Sequence, residues 1–125
     1  MPTADKHRRQ YNRNLRLSGE SLIKNNYADW HVTVCFYAAL HLVDEKLAQL
    51  SHNPEKHSVR DRLIRSTLNT TYPDLWAKYV ILRNYSMKAR YECVCFGKIE
   101  TKHAEDLLVE IRGMLSQSTS DTETV

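Results

Sequence analysis

Glycine and proline are both scarce in this chain, with three of each among its 125 residues. A β-sandwich or barrel needs many tight turns, and these two residues are the ones that tight turns use most. The chain therefore favours a few long elements, and helices are the simplest choice. An apolar content of 42% and a charged content of 26% exclude wholesale disorder.

Long apolar runs and paired cysteines are also missing. No run approaches the roughly 20 apolar residues that cross a bilayer. The opening residues, MPTADKHRRQ, lack the apolar core of a secretory signal. The three cysteines are an odd number without disulfide-type spacing. We therefore expect a cytoplasmic protein with no membrane segment.

The usual motifs of metal and cofactor sites are absent as well. Cys93 and Cys95, with His103 further along, make a poor zinc set, because zinc sites prefer wider cysteine pairs and four ligands. There is no glycine-rich phosphate loop and no Ser-His-Asp arrangement. The sequence predicts neither a metal nor a cofactor.

Apolar spacing predicts an all-α, up-and-down bundle of four to five helices, built as one domain from residues 1–115. The second helix, which includes WHVTVCFYAALHLVDEKLAQL, is apolar on nearly every side and should be the buried centre. Asp29 is a candidate cap for it, and Trp30 begins its apolar pattern. The polar segment SQSTSDTETV, residues 116–125, is predicted to be a disordered tail. The predicted helices cover residues 5–25, 27–50, 55–68, 73–91 and 99–115.

Positive charge is concentrated in the first half of the chain. Residues 1–65 hold eleven Lys and Arg against seven Asp and Glu, whereas residues 66–125 hold seven against eight. A polyanion such as RNA could use this bias, although a net charge of +3 is also compatible with a simply solvated surface. The basic residues that create the bias are Lys6, Arg8, Arg9, Arg13 and Arg16, and then Arg60, Arg62 and Arg65.

Three stretches occur in an order that resembles the HEPN family of small helical domains. They are YADWHVTVCFYAALHLVDEKLA, then HSVRDRLIR, then RNYSMKARY. The resemblance spans roughly residues 8–115 and implies a helical bundle that is often a homodimer. It also implies a role with RNA or nucleotides, either as a metal-independent ribonuclease or as a binding module. Some members of the family pair with a nucleotidyltransferase as toxin and antitoxin, which makes such a partner and a defence context an expectation here.

The chain departs from the family's catalytic motif, which is an Arg followed after four to six residues by a His. Arg83 matches the arginine, but the histidine positions hold Lys88, Ala89 and Arg90. Histidine changes its charge near neutral pH, whereas Arg stays protonated and Lys gives up its proton only when desolvated. A nuclease built on Arg83 would need its proton carrier from elsewhere in the chain.

Helical geometry groups the remaining candidates on one side of the fourth helix. Arg90 is about 20° from the face of Arg83, and Met87 and Tyr91 lie on the same side. Two guanidiniums beside a phenol would clamp a phosphate, and Lys88 could add a third cation. The alternative is that Arg83 pairs with a carboxylate and Tyr91 packs in the core.

His57 is the best substitute for the missing catalytic histidine. It begins a basic helix and precedes Arg60 by three residues, so the two should be neighbours on one face. The alternative is an exposed histidine at a loop edge. His41, on the buried second helix, is expected to be a satisfied core residue.

Three functions remain open at this point. The chain could be a helical module that binds RNA or nucleotide, with Arg83, Arg90, Tyr91, Lys88 and Arg60 as phosphate ligands. It could be a metal-independent endoribonuclease, with Arg83 and His57 as catalytic residues. It could also be a purely structural interaction subunit. A homodimer is expected from the aromatic residues that a short bundle leaves on its surface, for which Trp30, Trp76, Tyr79 and Tyr85 are the candidates.

Overall fold

The computed structural model describes residues 3–20, 27–92 and 96–124, with side chains as far as residue 116. Within these ranges the chain is an all-α bundle of five helices without a strand, as predicted. The helices are α1 (Ala4–Ser18), α2 (Ala28–Gln49), α3 (His57–Leu63), α4 (Leu75–Tyr91) and α5 (Lys98–Thr124). In this part of the chain, every helix is too short or too polar to traverse a bilayer.

The first helix is shorter than its apolar pattern predicts. Thr3 caps its start by accepting a hydrogen bond from the backbone N–H of Lys6 at 3.3 Å, and Gly19 closes its end. Tyr11 is its main buried anchor, with 1% of its surface exposed. The last part of the predicted range, residues 21–25, lies outside the described residues.

The second helix is the centre of the bundle, as its apolar sequence predicts. It packs against α1, α4 and α5, and its Val32, Phe36, Ala39 and Val43 are fully buried. Two predictions about its start are wrong. Asp29 is not the cap, because Tyr27 precedes the helix and Asp29 lies within its first turn. Trp30 does not begin the buried pattern, because 56% of its surface is exposed.

The connection between α2 and α4 contains α3 and a change of helix type. After His57–Leu63 the backbone continues as a π-helical segment, Ile64–Leu68, and then a single turn, Asn69–Thr71. The side chain of Asn69 accepts a hydrogen bond from the backbone N–H of Trp76 at 3.1 Å, which satisfies one free donor at the start of α4. Pro73 lies before the helix instead of in its first turn.

The predicted buried stripe of α4 is confirmed, because all four of its residues are buried: Leu75, Tyr79, Leu82 and Ser86. Helix α5 begins at Lys98, where the Glu100 carboxylate accepts a hydrogen bond from the N–H of Gly97 at 2.7 Å. It extends to Thr124, beyond the predicted end near residue 115, because residues 116–125 contain no glycine or proline to stop a helix. The disordered tail stays a prediction.

Candidate functional site

An open cavity of about 360 Å³ brings the main predicted site residues together. His57 reaches it from the start of α3, and Arg83, Met87, Arg90 and Tyr91 reach it from the last half of α4. Phe36 of the central helix supplies an apolar wall. Residues that are 26 and more positions apart in the sequence therefore share one surface.

Arg90 is held in place by two aromatic rings. Its Nη1 donates to the hydroxyl of Tyr37 at 2.9 Å and approaches the hydroxyl of Tyr91 at 3.5 Å. The guanidinium carbon lies 5.5 Å from the centre of the Tyr37 ring and 5.0 Å from that of Tyr91, which is cation–π distance. In the described part of the chain no carboxylate pairs with Arg90. Its positive charge is therefore available to a ligand.

Arg83 has a carboxylate partner, which the sequence left as an alternative. Its Nη1 donates a hydrogen bond to Asp61 of α3, and its guanidinium carbon lies 5.5 Å from the centre of the Trp76 ring. The side chain of Arg83 is 21% exposed and that of Asp61 is 17% exposed. This ion pair joins α3 to α4 and leaves Arg83 only part of its donor set for a ligand.

Tyr91 is at the rim of the cavity with 71% of its surface exposed, so it does not pack in the core. Met87 beside it is 44% exposed. Together they give the cavity an apolar, partly aromatic edge on which a flat ring could stack.

Arg60 is buried next to His57 and is not among the residues that line the cavity. Its Nε and Nη2 donate to the two oxygens of Asp44 at 2.7 and 2.9 Å. Its Nη1 lies 3.2 Å from Nδ1 of His57, so the predicted neighbours are in contact. We correct its predicted role as a phosphate ligand, because the guanidinium is already committed to these two partners.

Lys88 is exposed on α4 and is likewise absent from the cavity lining. At position 88 the helix has turned away from the face that Arg83 and Arg90 share. Two of the predicted cations, Arg83 and Arg90, therefore line the cavity, and Lys88 does not.

His57 is solvent-exposed, and its surroundings favour the neutral ring. Partial burial lowers the pKa of His57 below its ordinary value. The positive charges of Arg60, Arg83 and Arg90 lower this pKa further, while the carboxylate of Asp61 opposes them. The cavity and the residues that support it thus combine three guanidiniums, two carboxylates and an imidazole whose surroundings favour its neutral form.

Three of the other histidines, His7, His41 and His103, make side-chain contacts outside the cavity. Nδ1 of His41 lies 2.9 Å from Nδ1 of His7, which joins α2 to α1. Nδ1 of His103 is 2.7 Å from the hydroxyl of Tyr85. Among the residues with described positions, no three His, Cys, Asp or Glu side chains are grouped so as to hold a metal ion. Cys93 and Cys95 lie outside those positions.

Sequence reasoning missed the residues that support the site. Phe36, Tyr37 and Asp44 come from the central helix, and Asp61 comes from α3. Asp61 has the right spacing to approach His57 along the helix, but nothing in the sequence links it to Arg83. Comparison of the chain with models of protein families, with curated proteins and with solved structures gave no match.

Proposed function

We propose that the chain is a HEPN-like helical module that binds RNA or a nucleotide through a phosphate held in this cavity. The observation that carries the proposal is the convergence of His57, Arg83, Arg90 and Tyr91 on one open cavity from two separate helices. Guanidiniums bind phosphate oxygens through paired N–H groups, which suits a negatively charged ligand of this kind.

The charge balance supports an anionic ligand. Arg60, Arg83 and Arg90 outnumber Asp44 and Asp61 by one, and the carboxylates are paired with Arg60 and Arg83. The unmatched cation is Arg90, which two phenol rings hold against the cavity. Arg90 is accordingly our principal phosphate ligand, with Arg83 second.

The cavity edge supports a ligand that also carries a base. Tyr91 is exposed and next to Arg90, so a base attached to the bound phosphate could stack on its ring. Stacking of a base on an aromatic side chain is worth about 1–3 kcal/mol and does not depend on the base's identity. Such a site would favour single-stranded RNA or a nucleotide without strong sequence preference.

The cellular setting that we propose rests on the family resemblance. It comprises a cytoplasmic location, a toxin–antitoxin or defence context and a partner such as a nucleotidyltransferase. A homodimer is part of the same proposal, and Trp30, with 56% of its surface exposed, is the predicted aromatic that is available for such a contact. Tyr79, which the sequence predicted as another surface aromatic, is instead fully buried in the core.

Binding to a short, fluorescently labelled single-stranded RNA tests the proposal. We expect the affinity to fall steeply as salt is raised from roughly 50 to 200 mM, because cations displaced from the phosphates compete for them again. Arg90→Gln should weaken binding and reduce the slope of log affinity against log salt by about 1, which is the change expected when one cation no longer pairs with a phosphate.

The matched control is Arg62→Gln. Arg62 is an exposed arginine on α3 that does not line the cavity, so this variant removes the same charge from another place. Equally weakened binding in the two variants would mean that affinity follows net charge and not the cavity. No RNA or nucleotide binding by the unmodified protein would favour a structural interaction subunit instead.

A metal-independent endoribonuclease is the second candidate, and one observation favours it. His57, the candidate proton carrier, lines the same cavity as Arg83. The test is cleavage of RNA by the purified protein with EDTA present, with Arg83→Ala and His57→Ala alongside and the folding of each checked by circular dichroism. Cleavage that both substitutions abolish would establish the enzyme, whereas cleavage that persists unchanged in Arg83→Ala would exclude Arg83 as a catalytic residue.

A further inference from the structure

A buried ion pair stands next to the cavity and is not explained by charge neutralisation alone. Arg60 is 7% exposed and Asp44 is 3% exposed, and two hydrogen bonds join them. Replacing such a pair with apolar residues often leaves a protein as stable or more so, so stability does not account for it. The third donor group of Arg60 is directed to His57.

The contact between Arg60 and His57 determines where the imidazole carries its proton. A guanidinium has donors only, so Nδ1 of His57 must accept at the 3.2 Å contact and must itself carry no proton. The neutral ring then carries its single proton on Nε2. Because Arg60 occupies Nδ1, Nε2 is the ring nitrogen that is left for a ligand.

We propose that Arg60, anchored by Asp44, is a positioning residue that keeps His57 neutral and presents its Nε2–H as a hydrogen-bond donor to the cavity. The cavity then meets its ligand with donors from His57, Arg83 and Arg90. It suits a fully ionised oxyanion, such as an internal phosphodiester or sulfate, which offers only acceptors. The ligand class rests on the function proposed above, whereas the state of His57 does not.

The same arrangement is poorly suited to proton abstraction. A general base on the cavity side would need a lone pair at Nε2, and there the proposed tautomer carries a proton. His57 can therefore bind a phosphate but is not placed to remove a proton from a ribose hydroxyl. The tautomer of His57 therefore distinguishes the two proposed functions: a proton on Nε2 favours the binding module, and a lone pair on Nε2 is what the nuclease would need.

The charged and titratable groups that surround His57 come from three helices. Arg60 and Asp61 belong to α3, Asp44 to α2, and the α4 groups are Arg83, Arg90 and Tyr91. Apart from Asp61 and Asp44, the groups that are charged at neutral pH are positive. Removal of Arg60 takes away the closest of these, at 3.2 Å from the ring.

Nitrogen-15 NMR of the imidazole rings, in the free protein, tests the state of His57 without any ligand. At a pH above the titration range of His57, we expect the ring of the unmodified protein to be protonated on Nε2 and unprotonated on Nδ1. In the double variant Asp44→Leu/Arg60→Met both charges are removed together, so no unpaired charge stays buried. There we expect a mixture of both tautomers and a His57 titration midpoint that moves to higher pH.

Three comparisons keep this test decisive. His57→Gln assigns the resonances, and Arg62→Gln removes an exposed charge from the same helix and should leave the His57 tautomer unchanged. If the double variant does not fold, Arg60→Lys replaces it, because one ammonium cannot hold Asp44 and His57 with the geometry of a planar fork. A protonated Nδ1 in the unmodified protein, or the same tautomer and midpoint in the Arg60 variant, would overturn the inference.

Sulfate is the probe for the ligand class, because it stays fully ionised from about pH 5.5 to about pH 8, the range in which a histidine titrates. We expect the affinity of the unmodified protein to vary less with pH than that of the Arg60 variant, whose His57 gains a proton and a charge in this range. No shift of the His57 resonances with sulfate in either protein would overturn the ligand class. That result would not bear on the role of Arg60 in positioning His57, which the tautomer measurement tests separately.

Discussion

At the scale of single residues, Arg83 and Arg90 carry the same charge on the same helix, yet their surroundings make them different ligands. Asp61 neutralises Arg83, whereas Arg90 is held by the phenols of Tyr37 and Tyr91. The family resemblance pointed to Arg83 first. The structure makes Arg90 the freer cation, and the sequence could not show this because Asp61 is 22 residues from Arg83.

Releasing Arg83 from its carboxylate should strengthen anion binding. In Asp61→Asn the amide keeps a hydrogen-bond acceptor for Arg83 but removes a negative charge next to the cavity. We expect RNA affinity to rise by roughly threefold to tenfold, since hydrogen bonds to charged groups are worth about 1.5–3 kcal/mol and only part of that is gained. Fluorescence anisotropy with the labelled RNA measures it.

Asp106→Asn is the control for that variant. Asp106 is an exposed carboxylate on α5 that pairs with Lys102 and does not line the cavity. A similar rise in both variants would show a general charge effect. Unchanged or weaker binding in Asp61→Asn would contradict the place we give to Arg83.

The core contains two tyrosine hydroxyls, those of Tyr11 and Tyr79, that have no hydrogen-bond partner among the described residues. Tyr79 is fully buried, and burial raises the pKa of its phenol far above the ordinary value. Its ring packs against Phe36 at 5.6 Å and Trp76 at 6.2 Å between ring centres. Tyr79→Phe should keep this packing and raise the free energy of unfolding by about 1 kcal/mol, since an unsatisfied buried polar group costs about 1–3 kcal/mol.

Denaturant titration of Tyr79→Phe, followed by circular dichroism, checks that expectation. Tyr85→Phe is the matched control, because the hydroxyl of Tyr85 has a partner in His103 at 2.7 Å and its removal should lower stability instead. A decrease in the stability of Tyr79→Phe would mean that the hydroxyl is satisfied in the folded protein.

At the scale of elements, the sequence predicted the helices well where their apolar pattern is long. The bounds of α2 and α4 agree with the predictions to within two residues, and the buried stripe of α4 is correct. The predictions fail where a helix end, the exposure of one residue or a change of helix type depends on a local feature. Gly19 ends α1 early, Trp30 is exposed in the first turn of α2, and the π-helical segment Ile64–Leu68 has no signal in the sequence.

The end of α2 offers a direct test of backbone strain. The N–H of Ser51 donates to the carbonyl of Ala48 at 3.0 Å and that of His52 to Leu47 at 2.8 Å, the paired bonds of a Schellman motif. Ser51 has a φ of 67°, in the left-handed region where glycine is favoured. Ser51→Gly should therefore raise the free energy of unfolding by about 1 kcal/mol.

Chemical denaturation of Ser51→Gly measures this gain, with Ser51→Ala as the control. Alanine keeps the strained φ, so it should give no gain. Equal stability of the glycine and alanine variants would contradict the strain at this position.

At the scale of the whole molecule, the packing of the helices forms the cavity, because its lining comes from α2, α3 and α4. Sequence spacing placed Arg83, Met87, Arg90 and Tyr91 on one face, and the structure agrees. It could not show that α3 lies against that face, because the meeting of two helices depends on tertiary packing and not on local spacing. The supports from α2, Phe36, Tyr37 and Asp44, were invisible for the same reason.

Stability of the whole fold should depend on pH through two histidines. Burial lowers the pKa of His41 first, neighbouring His7 and Arg60 lower it further, and the carboxylate of Asp44 opposes them. The pKa of His57 is lowered as well, again first by burial. Both rings are then neutral in the folded protein at a pH where the unfolded chain begins to bind protons.

The sign of the effect follows from that difference. Well above the ordinary histidine value of about 6.5 the two states bind equal numbers of protons at these sites, and the full stability is present. As pH falls below it, the unfolded state gains protons first, so the free energy of unfolding decreases until the folded-state pKa values are reached. Urea titrations at about pH 7.5, about 6.5 and about 5.5, which span that value, measure the decrease.

His41→Gln is the informative variant for this dependence, because it removes one of the two titrating rings. We expect its stability to change less between the upper and lower pH than that of the unmodified protein. An unchanged slope would mean that His41 does not titrate differently in the two states.

The central claim is that the cavity between α3 and α4, and not the basic surface in general, receives the ligand. The most direct test is a two-dimensional ¹⁵N–¹H NMR titration with a short single-stranded RNA. We predict that the largest shifts with increasing RNA fall on residues 57, 83, 90 and 91. Shifts concentrated instead on the basic residues of α1, such as Arg9 and Arg13, with the cavity unaffected, would contradict the claim.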